Sequence, residues 1–274
     1  MTRAVQQVMP TDQVQTHYDR HPFDNFTDAS LARLQEQTLL GRTLKEHSRV
    51  GAMQVDVGCG TGKVIALLER CGQGRLVGVD LSPHSLQRVR QRSPSTRLLR
   101  ASALALPLSS RATALVVTEG VIHHTPDAHA AFRECARIVA PGGHLFVGVY
   151  NADDRYRFSY QVIGRLFRWI GSSRLGSAVL RVLIIPLWYV YFCYLRAWVT
   201  SGSISKLTYG RSINLFYDRY MVPRASFHTT EQLTAWGGEC GLEVVASAQR
   251  GSMLEVLFRR PEDGKDRMDD HTGS

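Results

Sequence analysis

Two acids and three alternating glycines are the residues of this chain best suited to chemistry. Asp56-Val57-Gly58-Cys59-Gly60-Thr61-Gly62 follows the apolar run Ala52-Met53-Gln54-Val55 and precedes a helix-like run, Lys63 to Arg70. Strand, glycine loop and helix together let a backbone approach a nucleotide-like ligand closely and aim helix N–H groups at it. Asp80 closes the next apolar run, Leu76-Val77-Gly78-Val79. That is where a doubly wound fold places a carboxylate that grips two ribose hydroxyls. The spacing differs from a dinucleotide fingerprint, because the glycines stand at 58, 60 and 62.

The elements that must position these groups alternate. Met53–Val57 reads as strand, Lys63–Cys71 as helix, Arg75–Asp80 as strand and His84–Arg92 as helix. Thr96–Arg100 and Ala112–Thr118 read as strands, Ala128–Val139 as a helix stopped by Pro141-Gly142-Gly143, and His144–Tyr150 as an apolar strand. Such alternation predicts a parallel sheet covered on both faces. Upstream, Leu31, Leu34, Thr38 and Leu39 fall at helical spacing within one helix over 28–50, with Asp28 or Ser30 as its cap. The pattern breaks at Asn151. It resumes with a helix from Thr230 to Cys240 and two strands, Leu242–Ala246 and Met253–Arg259, that suit an antiparallel pair. These breaks predict a helical cap over 1–50, a ligand-binding core over 51–150, an insertion over 151–226, completion of the core over 227–260 and a polar, disordered tail over 261–274.

The net charge of +9 is concentrated in the insertion. Residues 155–224 hold 11 basic side chains and one acid, Asp218. Such asymmetry points to an anionic partner. Residues 182–195 are uncharged and apolar, between Arg181 and Arg196. A run of that length suits a buried lid or an interfacial helix, whereas a span needs about 20 residues. Trp, Tyr and flanking Arg favour an interface, Pro186 predicts a kink, and the three alternatives stay open. Nucleic acid is a weaker partner, because the basic residues lie among large apolar side chains.

Five scattered cysteines with no C-x-x-C give no disulfide framework and no zinc site, and no metal is expected. Met1 to Thr16 is polar, without a signal-like core. The expectation is a cytoplasmic chain, peripheral to the inner membrane face if the insertion is interfacial.

Taken in order, the glycine loop, Asp80, Leu106-Pro107-Leu108, Glu119-Gly120-Val121-Ile122-His123-His124 and Ala140-Pro141-Gly142-Gly143-His144 resemble the class I S-adenosylmethionine (SAM) methyltransferases of the ubiquinone and menaquinone type. The resemblance covers roughly residues 50–150 and the closing helix and strands. It implies a Rossmann-like α/β fold with a seven-stranded, mostly parallel sheet, an N-terminal helical segment and an inserted helical lid. It also implies a SAM site. Gly58, Cys59, Gly60, Thr61 and Gly62 would form the loop against SAM, with Asp56 behind it toward the amino-acid end. Asp80 would bind the ribose, Leu81 would pack on the adenine, and Glu119 and Gly120 would lie beneath the reacting methyl. Val14-Gln15-Thr16-His17-Tyr18-Asp19 resembles a segment whose tyrosine closes over SAM, which gives Tyr18 that role.

One departure stands out. The family commonly has Asp-Ala where this chain has Ser102-Ala103, so the adenine side lacks a charge. His21-Pro22-Phe23-Asp24-Asn25, Val149-Tyr150-Asn151, Leu215-Phe216-Tyr217-Asp218 and His228-Thr229 resemble a subgroup with an apolar insertion.

Methyl transfer from a sulfonium is an in-line displacement. The protein aligns the nucleophile and excludes water, and a base is needed only for a hydroxyl or acidic C–H acceptor. His123 and His124 are the candidates for that base, with His123 ahead. Tyr150, Tyr217, Tyr220 and His228 are candidates for an acceptor pocket. The expected acceptor is small and apolar or membrane-partitioned. A polar metabolite, a noncatalytic SAM-binding role and a nucleic-acid methyltransferase are the rival readings.

Overall fold

The computed structural model describes residues 11–21, 26–72, 74–196 and 208–262. The predicted tail from 263 onward and positions 22–25 of the His21–Asn25 motif lie outside them. The chain divides into two units: residues up to 25 with 153–224, and residues 26–152 with those from 225 onward.

The larger unit begins with α2 (Asp28–Gln37) and α3 (Leu39–His47), the helix α1 (Thr11–Arg20) belonging to the smaller unit. Then come β1 (Met53–Val57), α4 (Lys63–Cys71), β2 (Arg75–Asp80), α5 (Pro83–Arg92), β3 (Arg97–Arg100) and β4 (Thr113–Glu119). A short 3₁₀ turn (Ile122–His124), α6 (Ala128–Ile138) and β5 (Val139–Tyr150) follow. The seven strands lie in the order β3-β2-β1-β4-β5-β7-β6, where β6 is Glu243–Arg250 and β7 is Met253–Arg259. The first five run parallel, and β7 is antiparallel to both its neighbours. This is the Rossmann-like sheet that the alternation implied.

Side-chain alternation along the central strands fills two cores. Val55, Val57, Val116, Leu145 and Val147 pack with Phe132, Ile138, Leu233 and Phe258. Leu115, Val117 and Phe146 pack instead with Leu31, Leu40, Leu44, Leu67 and Leu68 from α2, α3 and α4. Each such fully buried side chain contributes roughly 1.5–3 kcal/mol of burial free energy.

Four boundaries differ from the sequence expectation, each for a local reason. The helix expected over 28–50 is broken at Thr38, whose backbone is extended. Its hydroxyl donates to the Leu34 carbonyl and accepts the Gly41 N–H, capping α3. At the start of α2 the cap is Thr27, which exchanges bonds with Ser30. Pro141-Gly142-Gly143 does not separate helix from strand, because β5 already starts at Val139. The triplet lies where the β4–β5 register shifts, and Gly142 and Gly143 exchange backbone bonds with Arg260. Finally, β6 runs on to Arg250, paired opposite Met253. Its Ser247, Gln249 and Arg250 blur the apolar pattern, as an edge strand tolerates.

The smaller unit is helical. Its segments after α1 are α7 (Arg155–Ser159), a π turn (Tyr160–Gly164), α8 (Arg165–Gly171), α9 (Arg174–Val179), a second π turn (Leu180–Ile184) and α10 (Ile185–Val190). A third π turn (Tyr191–Arg196) follows, then α11 (Tyr209–Phe216) and a fourth (Tyr217–Met221), before α12 (Thr230–Glu239) returns the chain to the larger unit. Pro186 directly follows a π turn inside the helical run Arg174–Leu195. Leu180, Ile185, Phe216 and Tyr220 form the unit's own core. Side-chain bonds to backbone carbonyls clip it together: Tyr156 to Arg219, Tyr160 to Val222 and Arg168 to Tyr220.

Candidate functional site

The glycine loop bridges β1 and α4 and is held from below by β2. The N–H groups of Gly58 and Cys59 both donate to the Val79 carbonyl, at 2.7 and 3.0 Å. The N–H of Gly60 donates to Asp80 Oδ2 at 2.8 Å, and that of Ser82 to Oδ1 at 2.8 Å. Asp80 therefore fixes the loop and the start of α5 at once. Gly58 has φ +73°, and a Cβ there would come within 2.3 Å of the Val121 side chain. At Gly60 a Cβ would meet nothing within 4 Å, so this peptide borders open space.

Around this loop α4 is unlike its neighbours. Thr27, Thr38, Ser82, Asp127 and Thr229 cap α2, α3, α5, α6 and α12 with side-chain oxygens. The cap of α4 is Gly62, which brings no side-chain bond. A helix start of that kind suits a ligand's carboxylate or phosphate. Cys59 contributes backbone only: its thiol packs with Ile65 and Val89, and burial raises its pKa well above the ordinary range. Thr61 is buried, and its carbonyl accepts from Arg92 at 3.0 Å. Ser102 Oγ accepts the Leu104 N–H at 3.2 Å, which forms a local turn beside the buried Ala103. Leu81 is half-buried, and its carbonyl accepts from Arg100.

Beneath the loop lies a group of charges that the sequence did not disclose. Glu119, at the end of β4, is bound by Lys63 Nζ at 2.6 Å and Arg250 Nη2 at 2.5 Å. Arg250 also reaches Glu255 at 2.5 Å, on the facing strand. Burial would raise the Glu119 carboxyl, but Lys63 and Arg250 outweigh it and hold its pKa below the ordinary value. Asp56 is 2 % exposed, and its Oδ2 has no hydrogen-bond partner among the described residues. Burial, then the negative charges of Glu119 and Asp80, push its pKa well up, against the pull of Lys63. A cation brought beside this carboxyl would satisfy it, so the pocket fits the ammonium of an amino-acid ligand.

Past β4, a histidine cluster closes the site. Gly120 has φ +78° and leads into the turn carrying His123 and His124. The His123 ring is fully buried, and neither nitrogen has a hydrogen-bond partner among the described residues. Burial first, then His124 and His228, lower its pKa well below the ordinary 6.5. Tyr150, at the end of β5, packs its ring 4.1 Å from His123 and 5.5 Å from His124. His228 Nε2 lies 2.8 Å from Ser226 Oγ, and Ser226 donates from both N and Oγ to the His123 carbonyl. The structure thus brings His123, His124, Tyr150 and His228 together.

The remaining predicted residues lie in the smaller unit. Tyr18 donates to Asp218 Oδ1 at 3.1 Å, Tyr217 stacks on His21 and Tyr220 belongs to the unit's core. Sequence reasoning passed over Lys63, Arg250, Glu255 and Ser226. Only Lys63, adjacent to the loop, carried a signal.

The sequence and the fold resemble those of known proteins. Residues 55–147 match the family model described as "Methyltransferase domain". A malonyl-[acyl-carrier protein] O-methyltransferase of Halorhodospira halophila is 33% identical over 179 residues, covering 59% of this chain and 61% of that protein. A 2-phytyl-1,4-naphtoquinone methyltransferase of Thermosynechococcus vestitus is 37% identical over 102 residues, covering 35% and 45%. The chain thus spans less than two thirds of the length of each of these relatives. Among solved structures, the Burkholderia thailandensis 1,6-didemethyltoxoflavin-N1-methyltransferase, bound to 1,6-didemethyltoxoflavin and S-adenosylhomocysteine, superposes with TM-score 0.51 at 16% identity. That match covers 92% of this chain and 86% of that one and concerns the fold.

Two outcomes follow from the site's packing. Gly58→Ala should destabilise the chain by at least about 2 kcal/mol, since it combines a left-handed backbone with overpacking against Val121. Thermal melting checks this, and an unchanged Tm would refute it. Glu119→Ala should cost up to about 3 kcal/mol, because it takes this partner from the part-buried Lys63 and leaves Arg250 with Glu255 alone. Glu119 has a lowered pKa, so its contribution is complete above about pH 4.5 and is lost as pH falls through its folded value. Denaturant titrations from pH 3 to 7 should therefore show a shallower acid decline in Glu119→Ala than in the parent.

Proposed function

We propose that the chain, whose residues 55–147 match a methyltransferase domain, transfers a methyl group from SAM to a small, apolar or membrane-partitioned acceptor. The observation that carries the reading is the conjunction of the Asp80-braced glycine loop with the orphaned carboxyl of Asp56. When bound, SAM supplies an electrophilic methyl on a sulfonium. Asp80 would hold the ribose hydroxyls, the start of α4 would receive the ligand's carboxylate, and Asp56 would lie toward its ammonium.

For the acceptor, His123 is our candidate base. Its low pKa keeps it neutral at pH 7, and the lone pair of a neutral imidazole is what proton removal requires. Tyr150, His124 and His228 would line the acceptor side. Glu119 is unsuited to that role, because both its oxygens are engaged by cations. The apolar acceptor is supported by the helical unit. Phe158, Trp169, Leu175, Val182 and Leu187 are exposed there, amid an excess of arginines. The helical run Arg174–Leu195 is long and apolar enough to cross a membrane by length and composition. We read it as an interfacial element that meets an anionic membrane surface, because Arg174 and Arg181 stand in its first half and Trp and Tyr in its second. One relative is named for a phytyl-bearing naphthoquinone.

Incubation with deuterated-methyl SAM and a lipid extract should yield one labelled product in the organic phase, detected by mass spectrometry. Label appearing only in aqueous metabolites would overturn the apolar acceptor, and no label with either extract would overturn catalysis. In that assay His123→Gln should lower kcat by about 10²–10⁴ with SAM affinity unchanged, and the parent's acid limb should lie below pH 6.5.

A third outcome concerns Asp56. Its raised pKa means that the folded chain binds a proton the unfolded chain releases, so stability falls as pH rises from about 3.8 toward the folded value. A ligand ammonium should reverse that preference and expel the proton. Calorimetry of SAM binding in buffers of different ionisation enthalpy should show a proton release that diminishes as the starting pH is raised. Asp56→Asn should abolish the release and raise Tm at pH 7.

Vesicles containing phosphatidylglycerol should co-sediment the chain at low salt, and neutral vesicles should do so less. Equal recovery with both would remove the electrostatic part of the membrane reading.

A further inference from the structure

The chain re-enters the larger unit at Ala225, and the stretch 225–229 is laced between the His123 turn and the end of β5. Ser226 N–H donates to the His123 carbonyl at 2.8 Å, His228 N–H to the Tyr150 carbonyl at 2.9 Å, and Ala152 N–H to the His228 carbonyl at 3.0 Å. Asn151 and His228 form an isolated parallel bridge. The side chains repeat the tie. Ser226 Oγ lies 3.2 Å from the His123 carbonyl oxygen and 2.8 Å from His228 Nε2. A hydroxyl has a single hydrogen to give. Both contacts are hydrogen bonds only when His228 carries its hydrogen on Nε2 and donates to Oγ, which then donates to the carbonyl. The His228 ring is itself buried and meets Trp236 of α12 edge-on, with centroids 5.0 Å apart.

The His123 imidazole needs such a hold. Neither of its nitrogens has a hydrogen-bond partner among the described residues, so no bond of its own fixes the ring. Its direction is left to the backbone of the turn and to packing against His124 at 4.2 Å and Tyr150 at 4.1 Å. A working base must stand within about 0.5 Å of its productive position, which takes support from groups behind it. The carbonyl of His123 receives that support from two donors on one residue, and the second donor is braced in turn by a buried ring.

We propose that Ser226 and His228 are positioning residues, which hold the His123 imidazole in place through its backbone carbonyl, with His228 as the donor on Nε2. This rests on the reading of His123 as the base. Trp236 anchors the far end of the relay to α12.

The experiment is nuclear magnetic resonance of the full chain with isotopically labelled histidine, in which the His123 ring signals are those missing from His123→Gln. Ser226→Ala keeps the backbone bond and loses the hydroxyl, and it should shift and broaden those signals near neutral pH. His228→Leu should do the same. Ser226→Thr, which restores a hydroxyl, and His228→Gln, which keeps a donor near the place of Nε2, should return them toward the parent. In the methyl-transfer assay Ser226→Ala should lower kcat roughly fivefold, the worth of one neutral hydrogen bond, with KM for SAM unchanged. Ring signals unmoved by Ser226→Ala would overturn the proposal, and so would a kcat equal to the parent's where His123→Gln lowers it. Ser226→Ala decides alone where His228→Leu loses its far-UV circular dichroism. If His123→Gln itself leaves kcat unchanged, the base reading fails, and the ring signals still decide whether Ser226 and His228 hold the imidazole.

Discussion

Burial of ionised side chains beneath the glycine loop is the constraint on which the rest of the larger unit depends. Lys63, Glu119, Arg250 and Glu255 form one chain of ion pairs, and both acids are almost wholly removed from solvent. Such an arrangement gains little stability over an apolar replacement of equal volume, yet losing one member costs several kcal/mol. It therefore acts as a fastener with few tolerated variants. It joins α4, β4, β6 and β7, which come from opposite ends of the sequence. The C-terminal hairpin is thus tied electrostatically, as well as by strand pairing, to the loop that would face SAM.

The fastener also explains a local oddity. A lysine at the first position of a helix opposes the helix dipole. Lys63 is tolerated there because Glu119 neutralises it. With Lys63 and Arg250 both committed to Glu119, Asp56 is left as the acid with least compensation, and its proton affinity rises. One buried carboxylate is satisfied internally and the neighbouring one is kept for a cation. That division of labour follows from which acid the two cations can reach.

How much of this was legible in the sequence varied with the range of the interaction. The sheet was legible because its central strands are short apolar runs, and the glycine loop because its requirement is local. Thr38 was hidden: its hydroxyl competes with the helix ladder, a choice that apolar spacing does not reveal. The Lys63–Glu119–Arg250 pairing was hidden for a different reason. Its members are separated by 56 and 131 positions, and charged residues in a sequence read by default as solvated. His123 was identified from its position after β4, but its orphaned nitrogens follow from Tyr150, Ser226 and His228 arriving from elsewhere in the larger unit.

The two units divide the physical problem between them. In the larger one, Asp56 beside the loop and His123 beyond β4 are among the buried polar groups whose atoms lack a hydrogen-bond partner among the described residues. In the smaller one the mismatch is apolar, since Trp169, Leu175 and Val182 are each more than 70% exposed. Exposed side chains of that size cost free energy in water unless something covers them. A buried carboxyl that lacks a cation and a neutral imidazole that lacks a donor are the polar counterparts of uncovered leucines. A SAM methyltransferase with a lipid-like acceptor would resolve both kinds of mismatch. The cofactor's ammonium would answer Asp56, the acceptor's proton would answer His123, and a hydrocarbon phase would by itself answer the helical surface.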